Sequence, residues 1–540
     1  MSCSLTRRAF FGPPFKAVPP AGAVPVPMHI LLCNCFGKPC LVPKSRPFHS
    51  RAQHSTTAQS LAGPAALSAH QIFSPLTKER PVFRIKKPVA VIREPSKFYN
   101  EILRGIERAR KRVVLSSLYI GSEETELVGY LDRALDKNPG LEVLILLDCL
   151  RGTRIDGAGK SSASLLTPLV KRHANVRVAL YHTPALSGLN KTAWPQRYNE
   201  TFGLQHIKAY LFDDDVIISG ANLSRDYFTN RQDRYMRFRD RPLADYFAGL
   251  VHAISRFSFH LVGKNASTHP LGEGAASSDM GMCLPGNTPD PSRNPSDFIR
   301  DANAIMAEFL EGAQVRHAVD PATLSEHDTL VIPTVQMRQL GITQDEAHLT
   351  EFFSLSDSFA RRYGCRNMMA SAYFNFSPIC KKLVLDSSSR WDLLVASPEA
   401  NGFYTAAGVS KYIPDMYSII EHEFLRYTRK QYGRKDIAIE EYARPKWTYH
   451  GKGVWCYLDS KLPQATMIGS SNYGYRSIYC DLEAQVTLIP GNKDLQNDIH
   501  QEALCLLSHS KMVTETELKN RIRSAPLWLY ALKPFISKKM

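Results

Sequence analysis

The chain has 540 residues, 44% of them hydrophobic, and a formal net charge of +16. That length exceeds what one hydrophobic core holds and suits two domains of about 200 residues each, and the composition excludes a wholly disordered chain. No run of about 18 apolar residues occurs, so no membrane-spanning helix is predicted and any membrane contact is expected to be peripheral.

Residues 1–78 hold eight Lys or Arg and no Asp or Glu. They are rich in Arg, Ser, Ala and Pro and lack a long apolar core, which is the composition of an organelle import signal rather than a secretory one. This head is read as a mitochondrial or plastid transit peptide. The remaining chain carries 59 basic and 51 acidic residues. Such a mild excess suits an anionic partner, whether a phosphate ester, an acidic lipid surface or a nucleic acid. The 11 cysteines form no CxxC pair, so neither a zinc site nor a disulfide framework is expected.

Taken in order, residues 97–112 pattern as a helix and lead into the apolar run 113–120, a buried strand. A helical stretch over 124–137 and a second strand over 141–148 follow, which is strand, crossover helix and parallel strand. Further strands are expected at 176–181, 209–212 and 216–219. Residues 263–297 are crowded with Gly, Ser, Pro and Asn and read as a flexible linker. The second half then repeats the order: helix 355–363, strand 368–376, helix 379–385 and strand 391–396. The expected domains are therefore 90–262 and 298–512, with a basic C-terminal segment over 513–540. There, 527–532 is apolar and ringed by Arg and Lys; it fits either a lipid surface or a helix packed on the domain.

The charged motifs repeat as well. His206-Ile-Lys208 is followed by Asp213, by Ser219-Gly-Ala-Asn222 and by Asp233. His450-Gly-Lys452 is followed by Gly469-Ser-Ser-Asn472 and by Glu483. In both halves the step from Asn to acid is 11 positions. A single HxK carries little information, but two copies with equal offsets mark a duplication. Histidine is a good nucleophile towards phosphorus and also an acid/base near neutral pH, so two of them can divide a two-step phosphodiester transfer. Lys208 and Lys452, two positions on, face the same side of a strand and suit the phosphoryl oxygens. Asn222 and Asn472 can add neutral donors there. Asp233 and Glu483 can orient an imidazole through its other nitrogen. No cofactor or metal is required for the chemical step, and no metal-ligand cluster is read. The acids at 213–215 read as a turn between two short strands.

His206-x-Lys208-x4-Asp213 resembles the HKD motif of the phospholipase D superfamily, and the paired layout spans roughly residues 90–510. Within that superfamily the chain is similar to the eukaryotic phosphatidylglycerophosphate synthases. The stretches 203–213, 219–224 with 227–235, 396–403, and 449–453 with 468–477 and 481–483 carry the likeness. The resemblance implies two α/β/α sandwich domains related by a pseudo-twofold axis, with the active site at their interface. It implies that His206, completed by Lys208 and Asp213, takes the phosphatidyl group of CDP-diacylglycerol as a phosphohistidine. His450, beside Lys452, would serve as acid/base partner, and glycerol 3-phosphate would be the acceptor. A mitochondrial location on the inner membrane, peripheral contact with anionic lipid and no nucleic-acid partner follow from the same likeness.

The second motif departs from the pattern. Tyr457 stands where HKD has Asp, and the nearest acid, Asp459, lies two positions late, so the role of that Asp is left unassigned. The stretch 157–161 is similar to a P-loop, but Arg154 stands where the first Gly belongs. A nuclease or DNA phosphodiesterase of the same superfamily, and a non-catalytic lipid-binding scaffold, are the rival readings.

Overall fold

Successive side chains of the strand Arg112–Ser116 enter different cores, Val113 and Leu115 on one face and Val114 on the other. The computed structural model, which describes residues 67–188, 199–270, 279–406 and 408–536, builds two ten-stranded sheets from such strands. In the first, Arg112–Ser116, Glu142–Asp148 and Val176–Tyr181 run parallel. On the other side of Arg112–Ser116 follow Ala209–Phe212, Asp215–Ser219 and Tyr235–Arg239, each antiparallel to its neighbour. The second sheet repeats this arrangement. Arg366–Ser371, Arg390–Ala396 and Ile437–Tyr442 are parallel, and Lys452–Tyr457, Ala465–Gly469 and Glu483–Ile489 follow antiparallel. The duplication expected from the motifs is thus a duplication of sheet topology.

Helices cover the sheets according to their apolar faces. Pro95–Arg108 starts with Pro in its first turn and buries Phe98, Ile102, Leu103 and Ile106 along one face. With Thr125–Lys137 and Ser162–Arg172 it seals one side of the first sheet. Gln344–Tyr363, Pro378–Asp386 and Ile413–Gln431 do the same for the second. The facing sides of both sheets, with Arg241–Ser255, Pro295–Arg316 and Lys493–Leu507, merge into a single apolar cluster. The two halves therefore share a core, and Ala66–Met540 forms one compact unit.

Two expected boundaries shift. Residues 1–66 of the predicted head lie outside the described residues, but its last part is folded. Ser68 caps a short helix, Ala69–Phe73, and Phe73 stacks on Phe352 of the second half with ring centroids 4.6 Å apart. Phe83–Ile85 likewise joins the second half's sheet, beside Thr329–Met337. The acid-free composition extends over these residues, yet Ile72, Phe73 and Leu76 supply enough apolar surface to dock them. The expected linker contains Met280–Cys283, which pairs with Phe259–Gly263 as part of the first sheet. The C-terminal segment forms the helices Glu515–Arg521 and Leu527–Ile536. No described helix is long and apolar enough to cross a membrane.

Candidate active site

The two HxK segments are positioned by backbone pairing between the halves. The His206 N–H donates to the Leu482 carbonyl at 2.9 Å, and the Leu482 N–H donates to the Leu204 carbonyl at 2.8 Å. Gln205 and Leu482 form a parallel bridge. In the other half, Thr448–Tyr449 pairs in parallel with Arg231–Gln232, and the His450 N–H donates to the Gln232 carbonyl at 2.8 Å. Each histidine thus sits one residue beyond a bridge whose other strand carries, one residue on, the acid of the opposite half. Carboxylates fix the first crossing further: Asp481 accepts from the Leu204 N–H at 2.9 Å and Asp148 from the Gln205 N–H at 3.0 Å.

The side chains follow the backbone. His206 Nδ1 lies 3.0 Å from both Oε1 and Oε2 of Glu483. His450 Nδ1 lies 2.7 Å from Oδ2 of Asp233. The contacts are crosswise, since each acid lies against the histidine of the other half. At His206 the carboxylate favours the tautomer with Nδ1–H and the lone pair on Nε2; at His450, Asp233 favours the same tautomer, with Lys452 Nζ also 2.8 Å from Nδ1. All four side chains are buried, as are Lys208 and Lys452.

Both lysines turn back on their own motif. Lys208 Nζ donates to the His206 carbonyl at 2.8 Å. Lys452 Nζ donates to the His450 carbonyl at 2.7 Å and lies 3.5 Å from Asp233 Oδ2. The Ser219–Asn222 turn passes so close that a Cβ on Gly220 would come within 2.6 Å of Asp233 Oδ1 and 2.7 Å of Lys452 Nζ. Only glycine leaves room for that contact.

Burial dominates the electrostatics. It pushes the His206 imidazole well below its ordinary value, and the Lys208 charge adds to this. His450 is lowered in the same way by burial, then by Lys452, with Arg231, Lys208 and His206 contributing. Burial lowers both lysines as well, against the pull of Glu483 on Lys208 and of Asp233 on Lys452. It raises Asp233 and Glu483, against those same lysines. Both shifts favour the neutral imidazole, and burial of the whole cluster strengthens the electrostatic interactions within it.

The halves differ at Nε2. The Tyr227 hydroxyl lies 3.2 Å from His450 Nε2, and Asn222 Nδ2 donates to that hydroxyl at 3.1 Å. The Tyr227 ring meets the imidazole edge-on, centroids 5.0 Å apart. His206 Nε2 has no hydrogen-bond partner among the described residues. Tyr227 was not among the residues singled out by spacing. Five positions after Asn222 it stands where the second half has Ser477, so the repeat gives no signal for it. Asn222 correspondingly acts on Tyr227, and its Oδ1 accepts from the Leu118 N–H at 3.3 Å. Asn472 keeps a side-chain oxygen without a partner among the described residues.

Asp213 is not brought to this cluster. Seven residues beyond His206, roughly 20 Å along an extended chain, it occupies the hairpin turn with φ 54°. Its carboxylate accepts from the N–H groups of Arg110, Lys111 and Arg112 at 2.8, 2.8 and 3.0 Å. It pins the start of a strand and does not face the reacting groups. That also resolves the departure in the second motif. Tyr457 pairs with Arg366 in the corresponding ladder, lies under its guanidinium and hydrogen-bonds His500 Nδ1 at 3.1 Å. Asp459 sits beyond it in the turn, φ 49°. Arg234 is a second residue that spacing missed. Fully buried, it pairs with Glu502 at 2.8 Å, donates to the Met467 carbonyl at 2.7 Å and so anchors its neighbour Asp233 to the second half. The P-loop-like stretch ends as the Ser161 cap of Ser162–Arg172.

No protein-family model matches the chain. It is 38% identical over 482 residues to the mitochondrial CDP-diacylglycerol–glycerol-3-phosphate 3-phosphatidyltransferase of Gallus gallus, covering 83% of either chain. The chain belongs to that family. Its human relative is 36% identical, covering 83% of this chain and 82% of its own length. The Schizosaccharomyces pombe relative, also 36% identical, is covered over 94% of its length. Among solved structures, phosphatidylserine synthase of Haemophilus influenzae superposes with a TM-score of 0.60 at 17% identity, over 87% of this chain and 99% of that one. That likeness is one of fold, and it accounts for the paired sheets.

Proposed function

We propose that the chain transfers the phosphatidyl group of CDP-diacylglycerol to sn-glycerol 3-phosphate, releasing CMP and forming phosphatidylglycerophosphate, with His206 as nucleophile. The observation that carries this is the crossed pair of histidine–carboxylate contacts, in a member of the phosphatidyltransferase family. Glu483 directs the His206 lone pair to Nε2, which is open to attack the phosphorus of the phosphatidyl group. The N–P bond forms as the bond to the CMP oxygen breaks, and the electron pair leaves with CMP. A phosphate monoester leaving group has its second pKa near 6, so its departure at neutral pH needs little protonation. His450 can supply that help, but its main task falls in the second step. The 1-hydroxyl of glycerol 3-phosphate attacks, its proton passes to His450 Nε2, and the N–P bond breaks to restore His206. The depressed basicity of His450 keeps it neutral and ready for this. Lys208 and Lys452 neutralise the non-bridging oxygens, and Asn472 is placed to donate to them.

Peripheral contact with an anionic membrane, a mitochondrial location on the inner membrane and the lack of a nucleic-acid partner belong to the same proposal. The mitochondrial names of relatives support the location. The test is incubation of the purified chain with CDP-diacylglycerol and labelled glycerol 3-phosphate. Label extractable into organic solvent, with CMP in equal amount, is expected. No extractable label would sink the proposal, and cleavage of oligonucleotides under the same conditions would put the nuclease reading in its place.

A further inference from the structure

Most of the described side chains of the C-terminal helix Leu527–Ile536 are apolar, and several of them are exposed. Leu529 is buried against Met416 and Ile419 of Ile413–Gln431. Leu527, Trp528 and Tyr530 remain 85%, 38% and 38% exposed. Their neighbours are aromatic and basic. Tyr412 meets Trp528 edge-on at 5.2 Å, and the Lys411 ammonium lies 4.9 Å from the Tyr412 ring. Lys533 pairs with Glu423 on the long helix. Further along that helix Tyr427 is exposed, with Lys381 over its ring at 4.4 Å and Tyr432 at 5.6 Å. Arg523 is exposed on the approach to the C-terminal helix. Trp, Tyr and Lys join an apolar body to a polar tip, and that combination settles at the boundary between hydrocarbon and water.

One helix links this surface to the candidate active site. The helix that carries Met416 beneath Leu529 carries Tyr417 at the next position, about 1.5 Å further along the axis. Tyr417 stacks on Tyr373 with centroids 5.8 Å apart, and Tyr373 in turn meets the His450 ring edge-on at 5.8 Å. The long helix thus packs against the C-terminal helix through Met416 and towards His450 through Tyr417 and Tyr373.

We infer that the face formed by the C-terminal helix and the adjoining side of Ile413–Gln431 docks on an anionic lipid bilayer. Docking there holds the helix that reaches His450 through Tyr417 and Tyr373 against the headgroups. The inference rests on the lipid-substrate reading above, because a donor with two acyl chains can then offer its pyrophosphate to His206 without leaving the bilayer. Lys381, Lys411 and Arg523 supply the attraction to anionic lipid, and Leu527, Trp528 and Tyr530 supply the insertion.

The test compares the full chain with Leu527→Ser/Trp528→Ser and, separately, with Lys411→Glu/Arg523→Glu. Vesicles are phosphatidylcholine alone or mixed with phosphatidylglycerol. The unaltered chain is expected to sediment with the mixed vesicles and much less with phosphatidylcholine. The serine variant should lose about tenfold or more in vesicle affinity, and the charge-reversed variant should lose its preference for the mixed vesicles. Activity on CDP-diacylglycerol in vesicles should fall with binding, while activity on the same lipid dispersed in detergent stays unchanged. Unchanged detergent activity also shows that the variants are folded. Vesicle binding equal to that of the unaltered chain would overturn the inference. So would a serine variant whose only change is a smaller assembly by light scattering, since a second copy would then cover this face. Absence of activity in detergent for the unaltered chain would instead defeat the reaction assignment, leaving vesicle binding to be judged by itself.

Discussion

Glu483 and His206 stand 277 positions apart and meet at 3.0 Å through both carboxylate oxygens. Neither half can present an oriented histidine by itself, because the acid that selects the tautomer belongs to the other. Glu483→Gln keeps the shape but offers Nδ1 an amide with no charge, so the productive tautomer is no longer enforced. Phosphatidyl transfer is expected to fall by about 10² to 10⁴-fold, together with covalent labelling of the protein by the phosphatidyl donor. Asp233→Asn should slow transfer while sparing that labelling if, as proposed, His450 works chiefly in the second step. Rapid-quench measurement of CMP release separates the two. Equal loss of labelling in both variants would count against the division of roles.

The same division makes His450→Ala a trap. With His206 intact and CMP able to leave unprotonated, the donor should still transfer its phosphatidyl group to the enzyme, and glycerol 3-phosphate should then fail to remove it. Mass spectrometry of the denatured chain is expected to find the adduct on His206. An adduct on neither histidine, or loss of CMP release as complete as in His206→Ala, would reverse or abolish the assignment.

The pH profile carries a sign that can be checked. Protonated imidazole is useless as nucleophile or base, so activity is lost as pH falls through each histidine's pKa. Because burial, followed by the neighbouring lysines, lowers both, the acid limb should lie below the ordinary histidine value of about 6.5. The Tyr227 hydroxyl, donating to the lone pair of His450 Nε2, favours the neutral ring. Tyr227→Phe removes that donor and keeps the ring packing, so the acid limb of the second step should move up in pH. The limb of CMP release, set by His206, should stay in place. A common shift of both limbs would mean that Tyr227 acts through general packing.

Much of this site was legible before the fold was known, and the reason is physical. Equal spacing from Asn to acid reflects equal numbers of residues in equivalent hairpins, so the repeat of Asn222 to Asp233 in Asn472 to Glu483 transmits directly into repeated sheet order. Strands such as 142–148 are buried on both faces and announce themselves as unbroken apolar runs. Which acid holds which histidine was not legible, because the crossing depends on backbone pairing at Gln205 with Leu482 and at Tyr449 with Gln232. Those contacts join segments more than two hundred residues apart and leave no local pattern. Tyr227 escaped because it breaks the symmetry that exposed the others. The folded stretch at 69–77 escaped because the missing acids gave it the charge signature of the head before it, while its apolar residues are too few for a periodic signal.

Asp213 belongs to the motif by sequence and to the scaffold by position. Its carboxylate satisfies three backbone donors at the start of Arg112–Ser116. Asp213→Ala should cost about 1.5 to 3 kcal/mol of stability, read as a lower denaturation midpoint. The kcat of the remaining folded enzyme should stay within about twofold, as expected for a residue that contributes nothing in the transition state. A loss of kcat comparable to that of Lys208→Met, without a stability change, would place Asp213 in the chemistry after all.

The N-terminal boundary can be tested by truncation. A chain beginning at residue 67 keeps Ile72, Phe73 and Leu76, which pack into the core of the second half, and keeps the stacking of Phe73 on Phe352. A chain beginning at residue 80 loses all three and uncovers Phe352 beside them. Removal of the Phe73 side chain alone is worth about 3 to 5 kcal/mol at a buried site, so the shorter chain should unfold at a clearly lower denaturant concentration. The helix Gln344–Tyr363 should also exchange its amide protons faster, since Phe352 and Phe353 lie on its inner face. The longer truncation product should match the full chain in both measurements and in phosphatidyl transfer. If the two products are equally stable, the packing of residues 69–77 contributes nothing to the fold, and the boundary at 78 stands as the composition placed it.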